Sequence, residues 1–218
     1  MSEESEEDFF FIKENSKEKM LNQVISLCTG RLEKYGNYDF FQNIQVLSPT
    51  KKGMLGTKEL NKVLQEKLNP NTNNLPEKTS LGAIFRQGDR IMQIKNNYDI
   101  YWEREMFGEK EIGTGVFNGE IGTILQIDEK EKLVEIKFDD EKVAWYEFSE
   151  LDQIEHSYAI TIHKAQRKRI WCCNYGCTTI STNIINKKFI IYRYNKSEKI
   201  INNNRKWKNS WFHDKKYR

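Results

Sequence analysis

The chain predicts an α/β fold in which a small all-β block interrupts a parallel-strand α/β block, and three observations carry that prediction. Residues 1–87 mix apolar positions at helical spacing with short β-branched runs. Residues 88–156 alternate apolar and polar positions between tight turns, the pattern of strands that bury one face. Residues 157–166 return to a continuous apolar strand ending in a polar turn, and residues 167–218 form a basic tail of abruptly different composition.

The chain opens on an acidic run (Glu3, Glu4, Glu6, Glu7, Asp8) followed by the apolar cluster Phe9–Ile12, which predicts one buried strand. From Ser16, a residue type that caps helix N-termini, Met20, Val24 and Leu27 recur at helical spacing. So, shifted by one position, do Leu21, Ile25, Cys28 and Leu32. One helix is therefore expected until Gly36 and Asn37 stop it. Ile44–Pro49 (IQVLSP) is a β-branched run closed by proline, as expected of a buried parallel strand. A glycine-hinged basic loop, Lys51–Gly56, follows. Thr57 is assigned as the cap of an amphipathic helix with Leu60, Val63, Leu64 and Leu68 on one face, ended by Asn69 and Pro70. Strand, basic glycine loop and helix can together aim backbone N–H groups and lysines at an anion; an ordinary βα turn with two solvated lysines has the same spacing.

Asn71–Glu77 is a polar connector. Gly88–Asp99 supplies the strand residues Ile91, Met92 and Ile94 with a turn at Asn96-Asn97, and Tyr101–Gly113 reads as a charged surface excursion. VFNGEIGTILQID, KLVEIKFDD and KVAWYEF then alternate, separated by turn clusters at Glu129–Lys132 and Asp139–Glu141. Several short strands with tight turns predict a small barrel, which leaves no exposed edge. Gly119–Gly122 (GEIG) has the spacing of a phosphate clamp but lies between strands, so it reads as a turn. Trp145 is assigned to the core, and Tyr146 stays open between core packing and base stacking.

Tyr158–Gln166 (YAITIHKAQ) reads as a short strand (Ala159, Ile160, Ile162) turning at His163 and Lys164 into a helix. Thr161, His163 and Gln166 bring a hydroxyl, an imidazole and an amide to that turn, groups that can bond phosphate, sugar or nucleotide oxygens. The stretch resembles motif V of superfamily 1 helicases, specifically the RecD-like ATP-dependent DNA helicases. IQVLSPTKKGMLGTKELNKVLQEKLNP resembles the motif IV region of the same family, and GDRIMQIKN, FNG-x-IG and the hairpins follow in the family's order. The resemblance implies an incomplete RecA-like domain 2A over residues 1–87, an SH3-like barrel (2B) over 88–156, and the motif V return into 2A over 157–166. It implies single-stranded DNA as partner, with Thr161, His163 and Lys164 on the DNA and Lys51, Lys52 and Gln166 toward a nucleotide. ATP and Mg2+ are expected only in the complete parent enzyme, which couples ATP hydrolysis to translocation and unwinding. The chain has no Gly-Lys pair, hence no G-x-x-x-x-G-K-[ST] loop to cradle phosphates. The missing N-terminal RecA-like domain is thus an expected partner, and no catalytic residue is expected in this chain.

Arg167–Arg218 contains no Leu, Val, Ala, Pro, Gln or Met, and carries 14 Lys and Arg against 2 Asp and Glu, net +12; residues 1–166 carry net −9. Cores are built from the residues this tail omits. Codons permitted for Lys168–Thr179, read one base later, can give SEFGVVIMVVPP, the continuation that motif V lacks here. Ile184–Lys199 can likewise give LLTRNLLYTGITRAK, which resembles motif VI. A reading-frame shift after Gln166 is therefore expected, with an inactive fragment as its product. The competing readings are a basic nucleic-acid arm, a zinc site at Cys172, Cys173, Cys177 and His213, whose spacing is poor for one metal, and a stand-alone SH3-like binding module. A lone Cys28 outside the tail, no signal-like N-terminus and no apolar run of spanning length point to the cytoplasm and away from membranes.

Overall fold

A computed structural model describes residues 9–36, 39–72, 74–165, 172–178 and 187–193. The first strand, β1 (Phe9–Lys13), is followed by α1 (Lys17–Ser26), whose N-terminus is capped by the Ser16 side chain accepting from the Lys19 N–H at 3.4 Å. The expected single helix to Gly36 is broken. A π turn over Leu27–Arg31 holds Thr29 and Gly30 outside helical geometry, and α2 (Leu32–Gly36) starts afresh. Gly30, at φ +144°, takes a conformation that residues with a Cβ rarely adopt, which a count of apolar spacing does not register. A short helix α3 (Phe40–Asn43) leads into β2 (Ile44–Ser48), buried at every position, and α4 (Thr57–Leu68) follows the basic loop. The cap of α4 is Gly56, not Thr57, which is its first helical residue.

The middle block is largely strand. β3 (Glu77–Ser80) and β4 (Ala83–Arg86) form a hairpin, and β5 (Arg90–Gln93), β6 (Asn97–Met106), β7 (Glu109–Val116), β8 (Ile121–Asp128), β9 (Leu133–Phe138), β10 (Val143–Glu147) and β11 (Ile154–His156) build one sheet in the order β11-β5-β8-β9-β10-β6-β7. One apolar cluster, with Phe85, Ile91, Ile100, Val116, Ile136 and Tyr146 among its members, takes side chains from β4 through β11, so the sheet wraps a single core. Three expectations need correction. The sheet does not close by hydrogen bonds: among the described residues nothing pairs with the outer edges of β11 and β7. The supposed excursion at Tyr101–Gly113 belongs to the long β6–β7 hairpin, whose many charges sit on solvent-facing strand positions. Trp145 is half-buried on the outer face, and Tyr146 is the core residue, fully buried with its hydroxyl donating to Gln93 Oε1 at 3.0 Å. Alternation along β10 fixes that one of the two must face in; it does not say which.

The chain then returns to the first block through β12 (Ala159–Thr161) and α5 (Ile162–Ala165). β12 lies parallel to β2, with Ala159, Ile160 and Thr161 opposite Val46, Leu47 and Ser48. Residues 167–218 were expected to add no core structure, yet β13 (Cys172–Thr178) runs parallel to β2 on its other side, and β14 (Lys187–Arg193) pairs with both β13 and β1. The run KKFIIYR has the β-branched and aromatic content that suits a strand whatever its origin. A seam of Leu47, Met92, Ile121, Ile160 and Ala165 packs β5 and β8 of the middle block against β2, β12 and α5.

Candidate nucleic-acid interface at the ends of two parallel strands

Parallel strands in open α/β sheets present ligand sites beyond their carboxyl ends, where the loops that leave them converge. Here Ser48 and Thr161 are in register at the ends of β2 and β12, so the loop 49–56 and the turn into α5 emerge side by side. The Ser48 hydroxyl is 2.6 Å from the Leu55 carbonyl, to which it donates, and it accepts from the Thr50 N–H at 3.3 Å; one buried hydroxyl thus folds the loop back on its strand. Gly56 is required by the same fold, because a Cβ there would lie 2.6 Å from the carbonyl carbon and oxygen of Lys52. The returning loop also spends the helix terminus: Thr57 N–H donates to Thr50 O at 3.0 Å and Lys58 N–H to Lys51 O at 3.3 Å. The expectation that this geometry offers backbone N–H groups to an anion is therefore corrected for these two. What remains for a ligand is the pair Lys51 and Lys52, both exposed and, among the described residues, outside every ion pair.

A narrow cleft is lined by Lys51, Thr57, Asn61, Glu155, His156, Thr161 and Lys164. It gathers three of the sequence-predicted site residues. Lys164 Nζ is held by Glu155 Oε2 at 3.0 Å and so reaches the cleft already paired. Thr161 is buried to 9 % exposure at the cleft floor, His163 is exposed on α5 and Lys52 lies on the loop outside the cleft. Gln166 lies outside the described residues, as does His213, and the side chains of Cys172, Cys173 and Cys177 are not described. Among the described residues no cluster of His, Cys, Asp and Glu could hold a metal ion. With two helix N–H groups engaged and Glu155 paired, this set suits the edge of an anion and does not by itself make a cradle for a magnesium nucleotide.

Sequence reasoning missed the group that holds this region together. Asp89, fully buried, accepts from Gln65 Nε2 (2.6 Å), Asn69 Nδ2 (2.7 Å), the Arg86 N–H (2.8 Å), the Tyr158 hydroxyl (2.9 Å) and His156 Nε2 (3.1 Å). These donors come from α4, β4, β11 and the segment entering β12, so one carboxylate joins the middle block to the cleft. Burial, reinforced by the Asp89 charge, pushes the Tyr158 phenol well above its usual range, keeping it a donor. Asn61 completes the clamp: its amide donates to Ala159 O at 3.1 Å and accepts from Ala159 N–H at 2.7 Å, mimicking a neighbouring strand along β12. A Gly-Asp pair before a strand reads locally as a turn, and the only sequence hint was an acid beside an apolar run.

Comparison with known proteins agrees with the geometry of the middle block. Residues 60–138 match the family described as the ATP-dependent RecD-like DNA helicase SH3 domain. The chain is 31% identical over 123 residues to the ATP-dependent RecD2 DNA helicase of Deinococcus radiodurans, a match covering 56% of this chain and 14% of that protein. It is 27% identical over 173 residues to an uncharacterized protein of Methanocaldococcus jannaschii, covering 71% of this chain and again 14% of the relative. The chain thus spans about one seventh of the length of the curated relatives it matches. No helix among the described residues is long and apolar enough to cross a membrane. These likenesses give the chain an SH3-like domain of the RecD-like type and support a place in that helicase family.

Proposed function

We propose that this chain is the single-stranded-DNA-tracking portion of the second motor domain of a RecD-like helicase, residues 1–87 and 157–166 being domain 2A and residues 88–156 the inserted 2B barrel. The observation that carries the reading is the meeting of Lys51 and Thr161 beyond the ends of two in-register parallel strands. In this reading Thr161, His163 and Lys164 contact the DNA backbone through a hydroxyl, an imidazole and an ammonium, while Lys51, Lys52 and Gln166 face the nucleotide. ATP and Mg2+ are bound in the parent with the phosphate loop of another segment. This chain's residues bind and orient the strand and carry no chemical step. The charge distribution supports the division of labour: residues 77–156 carry 10 basic and 19 acidic side chains, net −9, so residues 1–76 and 157–166 together are neutral and hold the free lysines. Fluorescence anisotropy with an oligothymidylate tests the proposal. Binding should weaken with salt, the paired substitution of His163 and Lys164 by alanine should lower affinity about tenfold and flatten the salt slope by about one charge, and no DNA-stimulated ATPase should accompany it. DNA binding indifferent to His163→Ala, Lys164→Ala and Thr161→Ala would refute it.

The reading extends to the frame shift after Gln166. A strand paired in parallel with a buried strand such as β2 is usually a near-continuous Val and Ile run. The shifted frame puts VVIMVV at residues 172–177, the positions that β13 occupies beside β2, whereas the chain has CCNYGC there, including Asn174 and Gly176. Sequencing the DNA across codons 164–170 decides the point, since an unbroken frame in independent isolates would remove it.

A further inference from the structure

The outer face of the middle block carries an aromatic ridge that the helicase reading does not use. Tyr101 on β6 and Trp145 on β10 stack with ring centroids 5.9 Å apart and planes at 29°. The β6–β7 register places Ile112, 58 % exposed, opposite Glu103 on the same face, one position along from Tyr101. The hairpin ends in Phe107, 99 % exposed and at φ +54°, where a bulky side chain is disfavoured and glycine or asparagine is usual. Such a residue opposes the fold locally, which directs attention to what the tip touches.

The charges beside the ridge select the occupant. Glu103 is engaged, accepting from the Tyr101 hydroxyl at 2.7 Å and pairing with Lys110 at 2.7 Å. Glu135 stands directly opposite Trp145 on β9, and Glu105 lies near the tip; among the described residues neither is in an ion pair. An aromatic stack next to an unpaired carboxylate, on a block of net −9, repels phosphate and attracts a cation that can lie flat on a ring. Guanidinium does this better than ammonium, being planar and more weakly hydrated. We propose that the face formed by β10, β6 and β7 docks an arginine-bearing protein segment, with guanidinium on Trp145 and Tyr101, its charge met by Glu135, and Ile112 and Phe107 as apolar anchors. This is independent of where DNA binds the chain.

The test uses the full chain, fluorescein-labelled oligoarginine and oligolysine peptides of equal length, and an oligothymidylate. Oligoarginine should bind several-fold more tightly than oligolysine, Trp145→Leu should weaken it about tenfold, and Glu135→Gln and Phe107→Ser should each weaken it about threefold. The last two sites are solvent-facing, so they decide the matter if circular dichroism shows Trp145→Leu to be misfolded. Equal affinity for the two peptides, binding indifferent to Glu135→Gln and Phe107→Ser, or loss of oligothymidylate binding on Trp145→Leu would overturn the proposal.

Discussion

Replacing Asp89 by alanine should separate the middle block from the strand and helix that it steadies. The carboxylate accepts five hydrogen bonds at 2.6–3.1 Å in a site with no solvent access. Each buried donor left without a partner costs about 1–3 kcal/mol, but the donors are neighbours and a water can enter the vacated polar space, so the losses do not add. Removing one member of a buried charged network costs roughly 3–5 kcal/mol, and we expect about 4 kcal/mol for Asp89→Ala. Asparagine keeps the shape: if its amide nitrogen takes the place of Oδ1, Tyr158 can turn to accept and Asn69 can flip, so Asp89→Asn should cost about half as much. Urea denaturation followed by circular dichroism gives the totals, and amide hydrogen exchange gives the location. Protection should fall most across α4 and residues 157–161 and least across β8 and β9, whose contacts do not pass through the Asp89 carboxylate; β8 meets only its backbone carbonyl, through the Ile124 N–H. A loss below about 1 kcal/mol for Asp89→Ala, or a uniform loss of protection, would refute the view that this carboxylate is the joint.

Alkaline pH should destabilise the chain through its two buried phenols. Burial, then the charges of Glu120 and Glu150, raises Tyr146, and burial with Asp89 raises Tyr158; their stabilisation is therefore complete below the unfolded value of about 10 and declines as pH rises above it, because only the unfolded chain releases those protons. Each contributes a slope of about 1.4 kcal/mol per pH unit, so Tyr146→Phe should flatten the loss between about pH 10 and 11.5 by one such share, and parallel curves would exclude the effect. Gly56→Ala, which places a methyl 2.6 Å from the Lys52 carbonyl, should cost about 1–3 kcal/mol, as read by thermal melts, and an unchanged melting temperature would show that the loop yields freely. Deleting residues 167–218 removes the strand beside β2 and the partner of β1, so the transition reporting on α1, β2 and α4 should broaden; a version continued in the shifted frame should sharpen it, and identical melts for all three chains would discard the frame-shift reading.

What was legible in the sequence follows from which physical rules are local. β2 was visible because a β-branched run closed by Pro49 has few other uses, and α4 because Leu60 and Leu64 recur on one face; both are buried as expected. The β8–β10 strands were visible from alternation, and the match to the RecD-like SH3 domain covers β8 and β9. The choice between Trp145 and Tyr146 was not, because it depends on which face of β10 meets Phe85 and Ile136, a fact set by strand order. The break at Gly30 and the charged β6–β7 hairpin were missed for a related reason: a helix count ignores a single left-handed glycine, and charges on an edge hairpin resemble a loop until the cross-strand register is known. Of the candidate site, Lys51, Thr161 and Lys164 were named from local motif and do line one cleft, but Asp89 draws four of its five donors from residues 20 to 69 positions away, which no local pattern contains.

The same network bears on how an inserted block can act on the domain that carries it. Tyr158 donates to Asp89 and precedes β12 directly, and Asn61 of α4 bonds both polar groups of Ala159 and the His156 carbonyl. A displacement of the middle block can pass through these bonds to reach Thr161, only three residues from Tyr158, as it can through the Ser157 N–H bond to the Arg90 carbonyl. The seam of Met92 and Ile121 against Leu47 and Ile160 gives the movement an apolar surface that resists it, since packed cores deform in steps more readily than continuously. An event at the block's outer face, such as a partner bound across Tyr101 and Trp145, can therefore alter the floor of the cleft by changing which of these contacts are made. Asp89→Asn, which keeps the shape of the joint and removes its charge, should weaken that coupling. The measurement is the change in oligothymidylate affinity caused by saturating oligoarginine: a coupling of a few-fold in the parent chain that vanishes in Asp89→Asn supports transmission through the joint, and one that persists unchanged rules it out.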